Sequence, residues 1–394
     1  MRLHDFLDFH ARERPDSEFA VIGDRTVTYS EASKRINQLA NAFTSAGLNK
    51  GDRVAFLSKN SIEYMYMYMY YAGARSGVVP VPLNYRLAQN EWAYIINDSQ
   101  SKMLMVSSEY LESVDGVREE LETVDQFVSV GASNRGNSSE EWTDFDTWVN
   151  AQSDSAHLEE ISANDDIFQM YTSGTTGHPK GVILTHDSLT SNLVQFAPDI
   201  PMFPGHRTLV AAPLYHIAGA FNGFYALYQG GCLIIHEIFD PAEVVKTLDE
   251  EKINWAILVP AMIQACLIAV PDVDQRKFTD LEIIAYGASP IAEETLSRGL
   301  EVFNCDFVQV YGQTELSPIA TIMTAADHRM ALNGRPELLL SAGRAALGTD
   351  LRIVDEDDNQ VPNGTMGEIC VRGPQMMKAY WNLPDATAET MRGG

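Results

Sequence analysis

Between Tyr171 and Val182 the chain reads YTSGTTGHPKGV, a run whose residue types suit a polyanion. Gly174, Gly177 and Gly181 let the backbone turn tightly and present N–H groups. Thr172, Ser173, Thr175 and Thr176 add hydroxyl donors, and Lys180 brings a positive charge. Together they make a candidate phosphate cradle. It is not a Walker loop, because GxxxxGK(S/T) is absent and the flanks IFQMY and VILTH both read as strands instead of strand then helix. Two more segments draw notice, Gly287-Ala288-Ser289 and Tyr311-Gly312-Gln313-Thr314-Glu315, each closing a β-rich run.

The elements that must position these residues are most regular from Cys232 onward. CLIIHEI, INWAILV, LEIIAYG and DFVQVYG alternate with amphipathic stretches, the first opened by Asp240 and Pro241. That alternation predicts βαβ units and a parallel sheet covered on both faces, with ligands beyond the carboxyl ends of the strands. The apolar stretch Ile253 to Val270 contains Asn254, Pro260 and Gln264. It reads as a strand ending at Val259 and a helix starting at Pro260, not as a membrane span. In TVTYSEASKRINQLANAFTSAG, Tyr29 precedes the capping-type Ser30 and the helix is expected to stop at Gly47. MYMYMY at 65 to 70 mimics a strand by alternation but fits a buried helix equally well. Gly131 to Glu141 reads as a surface loop, SDSAHLEEISANDD as a second polar connection, and 345 to 373 as a small antiparallel or barrel-like β element.

Composition narrows the function classes. With 28 basic against 54 acidic residues, the formal charge of −26 opposes binding to nucleic acid or to an anionic membrane surface. The 394 residues, 45% of them apolar, can bury a large core in two or three subdomains. Cys232, Cys266, Cys305 and Cys370 show no metal or redox spacing and read as buried free thiols. The opening MRLHDFLDFHARERPD lacks the apolar core of a secretory signal. No transmembrane segment is expected, and a cytoplasmic location follows.

The cradle resembles the phosphate-binding signature of the adenylate-forming superfamily, which includes acyl-CoA synthetases, firefly luciferase and nonribosomal peptide adenylation domains. Further blocks agree in order: VVPVPLNYRL (78 to 87), PLYHIAG (213 to 219), YGASP (286 to 290), YGQTE (311 to 315) and GEICVRGPQMMKAYWNLPDAT (367 to 387). The resemblance implies an α/β fold with two helix-flanked sheets in an αβαβα body plus a small distorted β-barrel-like subdomain. Approximate divisions fall at 1–160, 161–330 and 331–394. It implies the use of ATP, Mg²⁺ and CoA with a small-molecule carboxylate: acid and ATP give acyl-AMP and pyrophosphate, then CoA displaces AMP. A medium- or long-chain fatty acid is favoured over an aryl acid. Transfer to a carrier-protein thiol, or a silent acyl- or nucleotide-binding role, are the alternatives, and a homodimer is left open.

By the same resemblance, Tyr311 stacks on adenine opposite the backbone of Gly287 to Ser289. Thr314 bonds the α-phosphate region beside Gly312 and Gln313, Glu315 holds Mg²⁺, and Lys180 with the cradle holds the β- and γ-phosphates. His216 borders the substrate carboxylate. Amino-acid-activating relatives carry an aspartate near that block, and LYHIAG has no acid, which disfavours an amino-acid substrate. The small residues Ala218, Gly219, Ala220 and Gly223 would leave an acyl channel walled by Phe221, Phe224 and Leu227, or else mark close helix-to-sheet packing. The family's ribose-binding aspartate, hinge and mobile C-terminal domain have no counterpart before Gly394. The chain alone is therefore expected to bind nucleotide better than it forms thioester.

Overall fold

The computed structural model describes residues 1–61, 66–131, 142–157, 159–172 and 177–394, with the side chain of residue 66 left aside. Two large sheets dominate. A five-stranded parallel sheet runs in the order β4-β3-β5-β6-β7, with β3 Arg53–Leu57, β4 Val79–Leu83, β5 Ser101–Ser107, β6 Gln126–Val130 and β7 Thr143–Asp144. The nine-stranded sheet runs β16-β15-β14-β13-β12-β10-β11-β1-β2. Its parallel centre comprises β1 Glu18–Ile22, β10 Arg207–Val210, β11 Cys232–Ile235, β12 Ile253–Ile257, β13 Ile283–Gly287 and β14 Asp306–Gly312. Antiparallel β2 Arg25–Thr28 closes one edge, and β15 Ile319–Met323 with β16 Arg344–Ala345 closes the other.

The period of two along each strand sorts side chains into separate cores. In β3, Val54 and Phe56 face the space between the sheets, whereas Ala55 and Leu57 pack outward toward the helix Gln89–Asp98. In β12, Trp255 and Ile257 face the same central space, and Ala256 packs outward in the core that also holds residues of the helices Pro241–Glu250, Pro260–Ala269 and Glu293–Phe303. The central layer is helical: Leu3–Glu13, Tyr29–Ser45, Tyr66–Ser76, His186–Phe196 and Ile217–Tyr228 all bury residues there. This is the expected αβαβα stacking. Strands apolar on both faces, such as the fully buried RVAFL and IIAYG, demand cover on both sides.

Several details depart from the sequence reading. The two sheets do not part at residue 160, because β1 and β2 join the nine-stranded sheet through the β1–β11 pairing. The C-terminal β-rich part forms no closed barrel among the described residues. It consists of the hairpin of β17 Asp350–Val354 and β18 Glu368–Arg372, while β19 Ala379–Tyr380 leaves to join β9 Lys180–Thr185 and β8 Asp166–Thr172. The helix expected after Ser30 is capped two residues earlier, by Thr28. Thr28 is extended, accepts from the Glu31 N–H at 3.2 Å, and donates its own N–H to the Glu31 carboxylate at 2.8 Å, a reciprocal box that Ser30, already helical, cannot make.

Elsewhere the local chemistry acts as expected. Pro260 occupies the first turn of its helix, directly after the extended Val259. The Met/Tyr run resolves as helix from Tyr66, with Tyr70 and Tyr71 fully buried, while residue 65 lies outside the described residues. Of the polar stretch 131 to 141, only Gly131 is described. All four cysteines are free; Cys232 and Cys266 are buried, whereas Cys305 and Cys370 are only partly so. Burial pushes the thiols of Cys232, Cys266 and Cys305 up to about 12, which leaves them unreactive near neutrality. Among the described residues no helix is long and apolar enough to cross a membrane.

Candidate active site

The cradle joins the paired ends of β8 and β9, where Thr172 lies opposite Lys180 and Tyr171 opposite Gly181. Ser173, Gly174, Thr175 and Thr176 lie outside the described residues. Gly177, at φ +114°, occupies backbone space that favours glycine. His178 stacks on Tyr94 with ring centres 4.8 Å apart, which fastens the trailing arm of the loop to the helix Gln89–Asp98.

A polar network below the hairpin ties it to the five-stranded sheet through Arg53 of β3. The Tyr171 hydroxyl donates to Asp98 at 2.6 Å and accepts from the Gln169 amide at 3.0 Å. Arg53 donates to Gln169 at 3.2 Å and to Asp166 at 3.1 Å, and Lys378 pairs with the other Asp166 oxygen at 2.6 Å. The Arg53 guanidinium also lies 3.8 Å from the Trp381 ring, whose indole N–H donates to the Asp98 carbonyl at 2.8 Å. Burial and the Asp98 carboxylate both raise the Tyr171 pKa, so its hydroxyl stays protonated and donates. Gly181 is required in this arrangement, since a Cβ there would come within 2.6 Å of the Gln169 amide nitrogen.

The other two segments converge at the carboxyl ends of β13 and β14. Gly287 pairs with Val310 across these strands, which brings Gly287-Ala288-Ser289 beside Tyr311. A Cβ on Gly287 would lie 2.9 Å from the Val310 side chain. Ala288 turns the chain at φ +66°, and Ala288 and Ser289 are exposed. Tyr311 is 39% exposed, an open aromatic face at a strand end. Thr314 and Glu315 form a short 3-10 turn, and Asn192 pins the strand that follows by bonding both the Ile319 N–H at 3.0 Å and its carbonyl at 2.9 Å.

Lys180 and Glu315 meet around one side chain that the sequence reading did not single out. Tyr380 donates its hydroxyl to Glu315 Oε1 at 2.7 Å, and its ring centre lies 4.9 Å from Lys180 Nζ. Among the described residues no carboxylate pairs with Lys180. Lys180, Gln313 and Glu315 line a cavity of about 600 Å³ whose far wall is the β17–β18 hairpin, including Arg352 and Arg372. A free ammonium beside a carboxylate at an open cavity suits a polyphosphate carrying a cation. Glu315 shares the cavity lining with Asp350, Asp358, Glu368 and Glu389, and among the described residues no three His, Cys, Asp or Glu side chains gather closely enough to hold a metal ion by themselves. A single carboxylate oxygen ligand suits a hard cation that a polyphosphate carries. The aromatic inside the block from 367 to 387 was the available signal for Tyr380; no motif marks Asn192.

The proposed acyl end lies apart from this cavity. His216 is the N-cap of the helix Ile217–Tyr228, its ring reaches solvent, and it packs 4.6 Å from the Tyr215 ring. Desolvation, with Arg86 nearby, holds its pKa below the ordinary value, so it is neutral near pH 7. Gly219 abuts the backbone of the preceding turn: a Cβ would fall on the Pro213 carbonyl, 2.8 Å from its carbon and 3.1 Å from the Ala212 oxygen. Space beside Gly223 is filled by the Met67 thioether, whose Cε would lie 2.9 Å from an added Cβ. Ala220 and Phe221 are fully buried, and Phe221 stacks against Tyr225 and meets Phe196 edge-on. Gly219 and Gly223 thus sit in close contact with their neighbours in this structure.

A family model described as AMP-binding enzyme matches residues 7–381. The chain is 32% identical to fatty acid–[acyl-carrier-protein] ligase ScoC of Streptomyces coeruleorubidus, over 98% of this chain and 72% of the relative. It is 33% identical to feruloyl-CoA synthase of an Amycolatopsis species, with the same two coverages. Its fold superposes on the inhibitor-bound N-terminal domain of FACL13 from Mycobacterium tuberculosis with a TM-score of 0.86 at 29% identity, covering 98% of this chain and 93% of that one. The chain belongs to the AMP-binding enzyme family, the adenylate-forming enzymes that activate carboxylic acids.

Proposed function

We propose that this protein is an ATP- and Mg²⁺-dependent carboxylate–CoA ligase of the cytoplasm, acting on a medium- or long-chain fatty acid. The observation that carries this reading is the meeting of Lys180 and the Glu315 carboxylate around Tyr380 at one cavity beyond the strand ends. Lys180 and the cradle draw charge from the β- and γ-phosphates as pyrophosphate leaves, and Thr314 donates to the α-phosphate that the substrate carboxylate attacks. Glu315 would hold Mg²⁺, which when bound neutralises phosphate charge and orients the triphosphate. Tyr311 offers its open face to adenine across from Gly287 to Ser289. His216, neutral and at the start of its helix, borders the carboxylate without pairing with it as a cation.

Transfer of the acyl group to a carrier-protein thiol is the second reading, favoured by the fatty acid–[acyl-carrier-protein] ligase among the relatives. An ATP–pyrophosphate exchange screen across fatty, aryl and amino acids tests the activation step. Trapping the adenylate with CoA or with a pantetheinylated carrier then separates the acceptors. Exchange stimulated only by amino acids would overturn the substrate class.

A further inference from the structure

We infer that Tyr380 is a positioning residue that sets Glu315 and Lys180 in register for a metal–nucleotide complex. The inference rests on reading those two residues as the metal and phosphate groups. Tyr380 is 8% exposed, and its side chain touches both charged groups at once. The backbone around it is tied to both of their elements. Met377 N–H donates to the Glu315 carbonyl at 2.7 Å, Lys378 N–H to Ile183 at 2.9 Å and Trp381 N–H to Gly181 at 2.7 Å. Tyr380 pairs with Val182 in the sheet, and its own N–H donates to the Thr387 hydroxyl at 3.0 Å. One short segment is therefore bonded simultaneously to the turn bearing Glu315 and to the strand bearing Lys180.

The residue type matters. A carboxylate beside Lys180 would hold it but cancel its charge, and an ammonium beside Glu315 would do the same to the carboxylate. A phenol does neither: its π-face attracts the ammonium and its neutral O–H donates to the carboxylate. A phenol is protonated near neutrality, so it serves as the donor to the Glu315 carboxylate. With Oε1 fixed by Tyr380, Oε2 keeps one orientation. Mg²⁺ demands near-ideal octahedral geometry, so a carboxylate free to rotate binds it less well.

The test uses calorimetric ATP binding by the full chain across a Mg²⁺ titration, with a parallel titration in EDTA. Tyr380→Phe keeps the ring and removes the donor. It should raise the Mg²⁺ concentration for half-maximal ATP binding by about tenfold, as loss of a partner behind a metal ligand does, and leave binding in EDTA unchanged. Tyr380→Leu removes the π-face as well and should also weaken binding in EDTA. Overlaying Mg²⁺ titrations for Tyr380→Phe and wild type, while Glu315→Gln shifts the titration, would overturn the positioning role alone. A silent Glu315→Gln would overturn the metal assignment and the inference with it. A uniform loss of binding at every Mg²⁺ level with a lowered melting temperature would reduce Tyr380 to a structural residue. Tyr380→Phe, whose ring stays packed, decides the matter even if Tyr380→Leu fails to fold.

Discussion

Substituting Gly219 and Gly223 one at a time separates a packing role from an acyl channel. Both lie in the helix Ile217–Tyr228, where alanine in place of glycine gains at most about 1 kcal/mol of helix propensity. At Gly219 the new methyl would meet the carbonyl group of Pro213, a backbone atom that also accepts the His216 N–H at 3.2 Å and so shapes the start of the helix. Backbone cannot yield without moving that turn. Overpacking of this kind costs about 1–3 kcal/mol, and the upper part of that range applies because the clash is with main chain. Gly219→Ala should therefore be destabilised by about 1–2 kcal/mol net. At Gly223 the obstacle is the far end of Met67, a flexible side chain, so Gly223→Ala should lie within about 1 kcal/mol of wild type. Thermal melting followed by tryptophan fluorescence measures both. If Gly219→Ala melts with wild type while the preference among acids of different length changes, the glycine opens a channel and the packing argument is wrong.

Lys180→Ala should weaken ATP binding by about 1.5–3 kcal/mol, the worth of a charge-assisted contact, with the melting temperature unchanged; equal calorimetric affinities would remove Lys180 from the phosphate site. Tyr171→Phe strips Asp98 and Gln169 of a shared partner and should cost about 1–3 kcal/mol in thermal stability; an unchanged melt would show that water replaces the hydroxyl. Stability should also fall on acidification below pH 6.5. Burial, with His4 beside it, lowers the His186 pKa from 6.5 to about 3, and Asp5, Asp165 and Arg2 face the pair. The unfolded chain then binds a proton that the folded chain refuses, so stability is complete above pH 6.5 and drains away toward pH 3, by about 2 kcal/mol at pH 5. His186→Gln should flatten that slope between pH 6.5 and 5, measured by urea unfolding, and parallel slopes would refute the assignment.

The elements and the chemistry of the site were legible wherever the signal is local. Glycine, hydroxyl and lysine spacing around Lys180 needs only residue types, because turning tightly and donating to an anion are properties of short segments. The strand-helix alternation after Cys232 and the proline-started helix at Pro260 follow from periodicity and from a missing N–H. The cap falls at Thr28 and not at the expected Ser30, since both residue types suit the role and only backbone angles choose between them.

What sequence could not supply is contact between residues far apart in the chain. Tyr380 meets Glu315 and Lys180 only because β19 leaves the C-terminal part to pair with β9, and β1 reaches the large sheet only by pairing with β11. Asn192 likewise finds Ile319 across a separation that no motif records. The small residues near Gly219 allowed a channel or a tight contact equally well, because a missing side chain says nothing about what fills its place. Which neighbour enters that space is decided by the packing of whole elements, and here it is the Pro213 backbone and the Met67 side chain.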